Sequence, residues 1–119
     1  MKKTLVIGAS ENPERYSNKA IRKLRAHGHP VIALAPRSGK TEDVVFETEQ
    51  KDFPGIDTVT LYVGPQNQDG IVDYVLRLRP RRVIFNPGTE NPAFEEKLRS
   101  EEIIAEEACT LVLLGTGQF

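Results

Sequence analysis

Short apolar runs separated by longer polar stretches set the rhythm of this chain. Residues 4–8, TLVIG, form a continuous apolar run, as expected of a strand covered on both faces. Over residues 17–28, SNKAIRKLRAHG, the spacing turns helical. Ala20, Ile21 and Leu24 share one face, Ser17 is the expected N-cap, and Gly28 stands where a helix stops. VIALA at 31–35 is the second buried strand. The polar stretch from Arg37 to Phe53 offers only a brief strand at Val44-Val45-Phe46. DTVTLYV at 57–63 is the third main strand, ended by Gly64-Pro65. Helical spacing returns over 67–79, where Ile71, Val72, Val75, Leu76 and Leu78 recur, Asp69 lies near the start and Pro80 acts as a stop. RVIF at 82–85 is the fourth strand. Asn91-Pro92 then supplies an N-cap with proline at the first helical position, and Phe94 and Leu98 lie one turn apart on the helix that follows.

The fifth strand has two candidates. Periodicity favours TLVLL at 110–114 over the shorter EIIAE at 102–106. With either, strands alternate with helices, which predicts an α/β fold of one domain over residues 1–119. The expected architecture is a Rossmann-like, doubly wound sheet of about five mostly parallel strands, with right-handed crossovers placing helices on both faces.

Composition narrows the class without changing that picture. A chain of 119 residues has room for one core, and 39% hydrophobic with 28% charged residues is ordinary for a soluble globular domain. The formal net charge of -1 gives no overall electrostatic reason to expect nucleic acid or an acidic membrane as partner. A single cysteine cannot form an internal disulfide and fits a reducing compartment. The apolar run after Lys2-Lys3 is too short for a secretion signal, and no run approaches the ~20 residues of a membrane span. The expected location is the cytoplasm.

In doubly wound sheets ligands bind beyond the carboxyl ends of the strands, at the switch point in strand order. The candidate loops are therefore GASENPERYS, APRSGK, GPQNQ and NPGTENP, all rich in Gly, Pro, Asn and Ser. Helices starting near Ser17 and Asn91 would turn their positive ends to this edge and favour an anion such as phosphate. A nicotinamide-dinucleotide site would need G-x-G-x-x-G and an acid after the second strand. Here Gly8 is followed by Ala9 and Ser10, the next glycine is Gly28, and Arg37 stands where the acid would be. A guanidinium there suits a phosphate better than a bare ribose. No Cys/His/Asp cluster has metal-ligand spacing, and no convincing nucleophile–base pair is visible. His27 and His29 read as partners of a helix C-terminus. Glu95, Glu96, Glu101, Glu102, Glu106 and Glu107 read as a solvated helix face and its flanks. Cys109 reads as a small apolar core residue, with no histidine at useful spacing after it.

Taken in order, Gly8-Ala9-Ser10, Pro13, Arg15, Ser17, Gly28, Pro36, Asp57 and Asn86-Pro87-Gly88 resemble the stand-alone coenzyme A-binding proteins. Their superfamily includes the N-terminal domain of the succinyl-CoA synthetase alpha subunit. The resemblance covers nearly the whole chain and implies a coenzyme A or short acyl-CoA ligand. It implies that the pyrophosphate and pantetheine arm lie over Ser10, Asn12, Arg15 and Ser17, with Gly8, Ala9 and Tyr16 beside them. It implies adenine near Pro36-Arg37 and Gly64-Pro65, and a thiol end bordered by the Asn86-Pro87-Gly88 turn. Residues 37–53 depart from the family's usual connection, and the phosphohistidine domain of the synthetase is absent, so ligase activity is not carried over. The resemblance also favours 102–106 as the fifth strand, against periodicity. Cys109 would then follow that strand and face the coenzyme's thiol.

The leading expectation is a binding module without chemistry of its own, acting as carrier or sensor, or through a mixed disulfide at Cys109. A second is an NADP-type nucleotide module, with Arg37 taking the extra phosphate. A third is a catalytic or regulatory subunit for acyl-CoA chemistry that needs a partner chain; a homodimer is also compatible with the residues.

Overall fold

The computed structural model describes residues 1–119. Strand β1 (Thr4–Ile7) is fully buried and leads through a long loop to helix α1 (Tyr16–Ala26). Strand β2 (Val31–Leu34) follows. Next comes a small antiparallel hairpin of β3 (Lys40–Thr41) and β4 (Val44–Val45), turned at Glu42 with φ 55°. Strand β5 (Thr58–Leu61) leads through a single 3-10 turn (Pro65–Asn67) to α2 (Asp69–Leu78). Strand β6 (Arg82–Phe85), α3 (Pro92–Ser100), β7 (Ile104–Glu107) and α4 (Thr110–Gly115) complete the chain.

The main sheet has five parallel strands in the order β2-β1-β5-β6-β7. Alternate side chains of each strand enter opposite layers, as the two-residue repeat of a strand requires. Leu5, Ile7, Val59, Leu61, Val83 and Phe85 pack under α2 and α3, meeting Tyr74, Val75, Phe94 and Leu98. Phe85 and Phe94 pack edge to face, 5.3 Å between ring centres. Val6, Ala33 and Ile84 face the other way, against Ile21 and Leu24 of α1 and Leu114 of α4. Both faces of the central strands are therefore covered, which is why those strands read as continuous apolar runs.

Three expectations need correction. TLVLL is helix α4, not the fifth strand: Thr110 and Leu114, one helical turn apart, are buried, while Val112 is 58% exposed. Five apolar residues are too few to separate the two periods. The fifth strand is β7, overlapping the 102–106 segment that the resemblance favours. It lies at the sheet edge, with Ile104 47% exposed and two glutamates, so it lacks the buried-strand pattern. Ser17 is not the N-cap of α1. Arg15 holds that position in an extended conformation with no side-chain cap, and Ser17 is buried within the first turn. Glu95 is not solvated: it is 3% exposed, its Oε2 accepts the Asn91 amide at 3.1 Å, and Arg99 lies 3.5 Å from its Oε1. The contact does the work of a capping-box acid from one position further along, at N4 instead of N3, so an acid near the start of α3 serves to close the helix.

Candidate functional site

From β1 the chain returns to β2 on one side and later continues through β5 on the other, so the loops after β1 and β5 part at the carboxyl edge. Between them opens a cleft of about 530 Å³, within the range of small-molecule sites. One wall is Gly8-Ala9-Ser10 with Asn12 and Arg15. The opposite wall is Tyr62-Val63-Gly64 with Asn67. The end towards β2 is built from Pro36-Arg37-Ser38 over Ala35 and Phe46.

Local chemistry fixes the first wall. Gly8 has φ 100°, and a Cβ there would lie 3.0 Å from the Tyr62 carbonyl oxygen, so only glycine lets the loop cross the end of β5. The Gly8 and Ala9 amides donate to the Leu34 carbonyl at 3.0 and 3.1 Å. The Asn12 amide donates to Ser10 Oγ at 3.1 Å, and Asn12 Oδ1 accepts the Glu14 amide at 3.0 Å; these are local side-chain turns. Asn18 is buried and anchors the loop: its Nδ2 donates to the Ser10 carbonyl and to Thr41 Oγ1, both at 2.9 Å, while its Oδ1 accepts Arg22 Nε at 2.8 Å. What remains free is the start of α1, where no side chain caps the first-turn amides.

The cations of the cleft are also free. Arg15 and Arg37 are exposed on its walls and form no ion pair. Every other arginine donates a hydrogen bond from its side chain within the protein. Two unmatched guanidiniums beside uncapped helix amides form an anion-attracting concavity. The Tyr62 ring lines the same cleft, but its hydroxyl is buried without a hydrogen-bond partner. Burial pushes that phenol up to about 12; the nearby Thr110 and Thr60 hydroxyls temper the rise but bond each other at 2.8 Å instead. Tyr62 is thus a neutral hydroxyl at physiological pH, not a base.

Of the residues singled out in the sequence, Gly8, Ala9, Ser10, Asn12, Arg15, Pro36, Arg37 and Gly64 meet around this one cleft. The others lie outside its wall. Tyr16 is 67% exposed with the Lys19 ammonium 5.3 Å from its ring centre. Ser17 is buried, and Pro65 opens the exposed 3-10 turn. Asn86 is 2% exposed and internally occupied: Nδ2 donates to Thr60 Oγ1 at 2.7 Å and to the Leu61 carbonyl at 2.8 Å, while Oδ1 accepts the Thr110 amide at 2.9 Å. The Gly88 amide is given to Glu90 at 2.9 Å, and Pro87 is exposed beside it. Cys109 is partly buried at the N-cap of α4. Glu11, Ser38 and Asn67 lie within the candidate loops without being singled out, while Phe46, Tyr62 and Val63 fall outside them. Tyr62 had a signal, since it ends the third strand at the switch point; Phe46 had none, because only the fold of the β3–β4 hairpin carries it to the cleft.

The sequence pattern of a family described as the CoA binding domain matches residues 2–115. The crystal structure of an uncharacterized protein is 44% identical over 100% of this chain and 98% of its own, with a TM-score of 0.97. A Thermus thermophilus protein described as cell-free ID.343 is 25% identical over 99% of this chain and 90% of its own, TM-score 0.85. The fold also recurs in a dinucleotide-forming acetyl-coenzyme A synthetase of Ca. Korarchaeum cryptofilum. There the identity is 18% over 87% of this chain and 25% of that one, with a TM-score of 0.69. No curated protein matches the sequence.

Proposed function

Because the chain belongs to the CoA binding domain family, we propose that it binds coenzyme A, or a short acyl-CoA, in the cleft between the loops after β1, β2 and β5. The observation that carries this reading is the pair of unpartnered guanidiniums, Arg15 and Arg37, on the walls of a cleft that also receives the uncapped start of α1. Coenzyme A offers a pyrophosphate and a 3′-phosphate, two anionic centres for two cationic ones.

In the proposed pose the pyrophosphate lies over Ser10, Asn12 and Arg15, where the first-turn amides of α1 add donors at Tyr16 and Ser17. The adenosine end lies towards Pro36-Arg37 and Gly64-Pro65, with Arg37 taking the 3′-phosphate as a bidentate partner. The pantetheine arm runs along Gly8 and Ala9. Its thiol end points towards the Asn86-Pro87-Gly88 turn and Cys109. The protein's own residues bind and orient the ligand in this reading, as a carrier, sensor or regulatory module. No helix is long and apolar enough to cross a membrane.

Calorimetric titration of the reduced protein with coenzyme A, dephospho-coenzyme A and NADP tests this. Coenzyme A should bind tightest, with affinity lost when its 3′-phosphate is removed. Tighter binding of NADP would move the protein to the dinucleotide class, and no binding of any of the three would reject the cleft as a nucleotide site.

A further inference from the structure

The cleft wall already holds an anion, and it belongs to the protein. Glu11, next after Ser10, reaches across the gap to the loop after β2, where its Oε2 accepts the Lys40 backbone N–H at 2.9 Å. Gly39 makes that approach feasible. A Cβ at residue 39 would lie 2.7 Å from Glu11 Cδ and 2.8 Å from its Cγ. Gly39 is not among the positive-φ glycines, so its backbone conformation does not call for glycine; the space it leaves does. The Glu11 carboxylate forms no ion pair, although Arg15 and Arg37 line the same cleft without partners. A carboxylate held by one neutral amide, across an opening flanked by unmatched cations, is a weakly fastened occupant.

We propose that Glu11 is an internal competitor that straps the cleft between the β1 and β2 loops, and that an incoming phosphate group displaces it from the Gly39-Lys40 cradle. The proposal rests on the reading of the cleft as a site for a phosphate-bearing ligand. Its physics is simple: the competent cleft is only the fraction with the strap open, and apparent affinity falls by that fraction. The negative charge of the strap also repels an anion approaching Arg15 and Arg37.

Three variants separate competition from mere bracing. Glu11→Gln keeps an acceptor for the Lys40 amide but removes the charge; Glu11→Ala removes both; Gly39→Ala expels the carboxylate without touching Glu11. Each is titrated with coenzyme A and with inorganic pyrophosphate, while the Lys40 amide resonance is followed by NMR. Competition predicts that all three variants bind both probes tighter than the parent, by about three- to tenfold, and that either probe shifts the parent's Lys40 amide. Unchanged affinity, or a loss in Glu11→Ala and Gly39→Ala with Glu11→Gln unaffected, overturns it and leaves coenzyme A binding standing. If coenzyme A fails to bind the parent but the variants tighten pyrophosphate, the strap stands and the coenzyme reading falls. If neither probe binds any protein, both fall.

Discussion

The two halves of the sheet's carboxyl edge are built from similar residues and behave as opposites. Beyond β6, the loop NPGTENP is closed upon itself. Asn86 ties the ends of β5 and β6 to the start of α4. Gln68 is wholly buried, donates to the Val63 and Thr89 carbonyls at 2.8 Å each, and accepts from Asn91 Nδ2 at 2.8 Å. Asn91 in turn caps α3 by accepting the Phe94 amide at 3.2 Å. Beyond β1 and β2, the arginines have no partners and α1 starts uncapped. The first half uses its polar groups to hold three loops together; in the second, Asn18 and Glu11 brace the loops, but the two guanidiniums and the first amides of α1 stay available. A ligand site at this edge is thus a question of which hydrogen-bonding capacity the fold has left open.

Substitutions at four positions test that contrast. The largest effect belongs to the closed half. Asn86→Ala leaves the Leu61 carbonyl and the Thr110 amide buried without partners, which should cost about 2–4 kcal/mol in chemical denaturation; a loss near zero would mean the clamp is not structural. Gly8→Ala comes next. It forces a Cβ against the Tyr62 carbonyl at φ 100°, with an expected loss of about 1–3 kcal/mol and a cleft too narrow for coenzyme A in the same titration. In the open half, Arg15→Ala and Arg37→Ala should leave stability within about 0.5 kcal/mol. Each should weaken coenzyme A binding by about tenfold, and Arg37→Ala should erase the preference over dephospho-coenzyme A. A drop in melting temperature without a change in affinity would reverse the assignment.

The smallest effect lies at the opposite, amino edge. His29 Nδ1 accepts the Lys2 amide at 3.1 Å, and burial, then the nearby N-terminus, His27, Lys2 and Arg82, hold its pKa below 6.5. The folded state therefore favours neutral His29. Stability from this group is present above pH about 6.5 and is lost as pH falls from there towards the lowered folded value. A shallow decline in melting temperature below that pH, flattened in His29→Gln, is the expected result. An undiminished decline in that variant would assign it to another group.

The central strands were legible because they are buried on both faces, and a short apolar run between polar loops has few other readings. The helices were legible from Ile21 and Leu24, from Ile71 and Val75, and from Phe94 and Leu98, whose spacing matches one turn. The edge was not. Strand β7 has solvent on one side, so Glu106 and Glu107 disguise it, and the apolar TLVLL beside it looks more like a strand than the strand does. Glu95 reads as solvent-facing charge because its spacing to Arg99 is that of an exposed helix pair, whereas its contact with the Asn91 backbone leaves no mark in the charge pattern.

Local pattern along the chain is enough to set the alternation of strands and helices, and with it the edge of the sheet where a ligand site belongs. Hydrophobic periodicity is local, and so are Gly8, Pro13 and the Asn91-Pro92 cap. Which loops at that edge stay open is settled by long-range packing. Whether Asn86 faces a ligand or the Thr110 amide, whether Phe46 and Tyr62 reach the cleft, and whether Glu11 finds the space above Gly39 depend on residues brought together from distant parts of the chain. Hydrogen-bonding capacity is a property of residue type, but its availability is set by what the fold places within three ångströms of it.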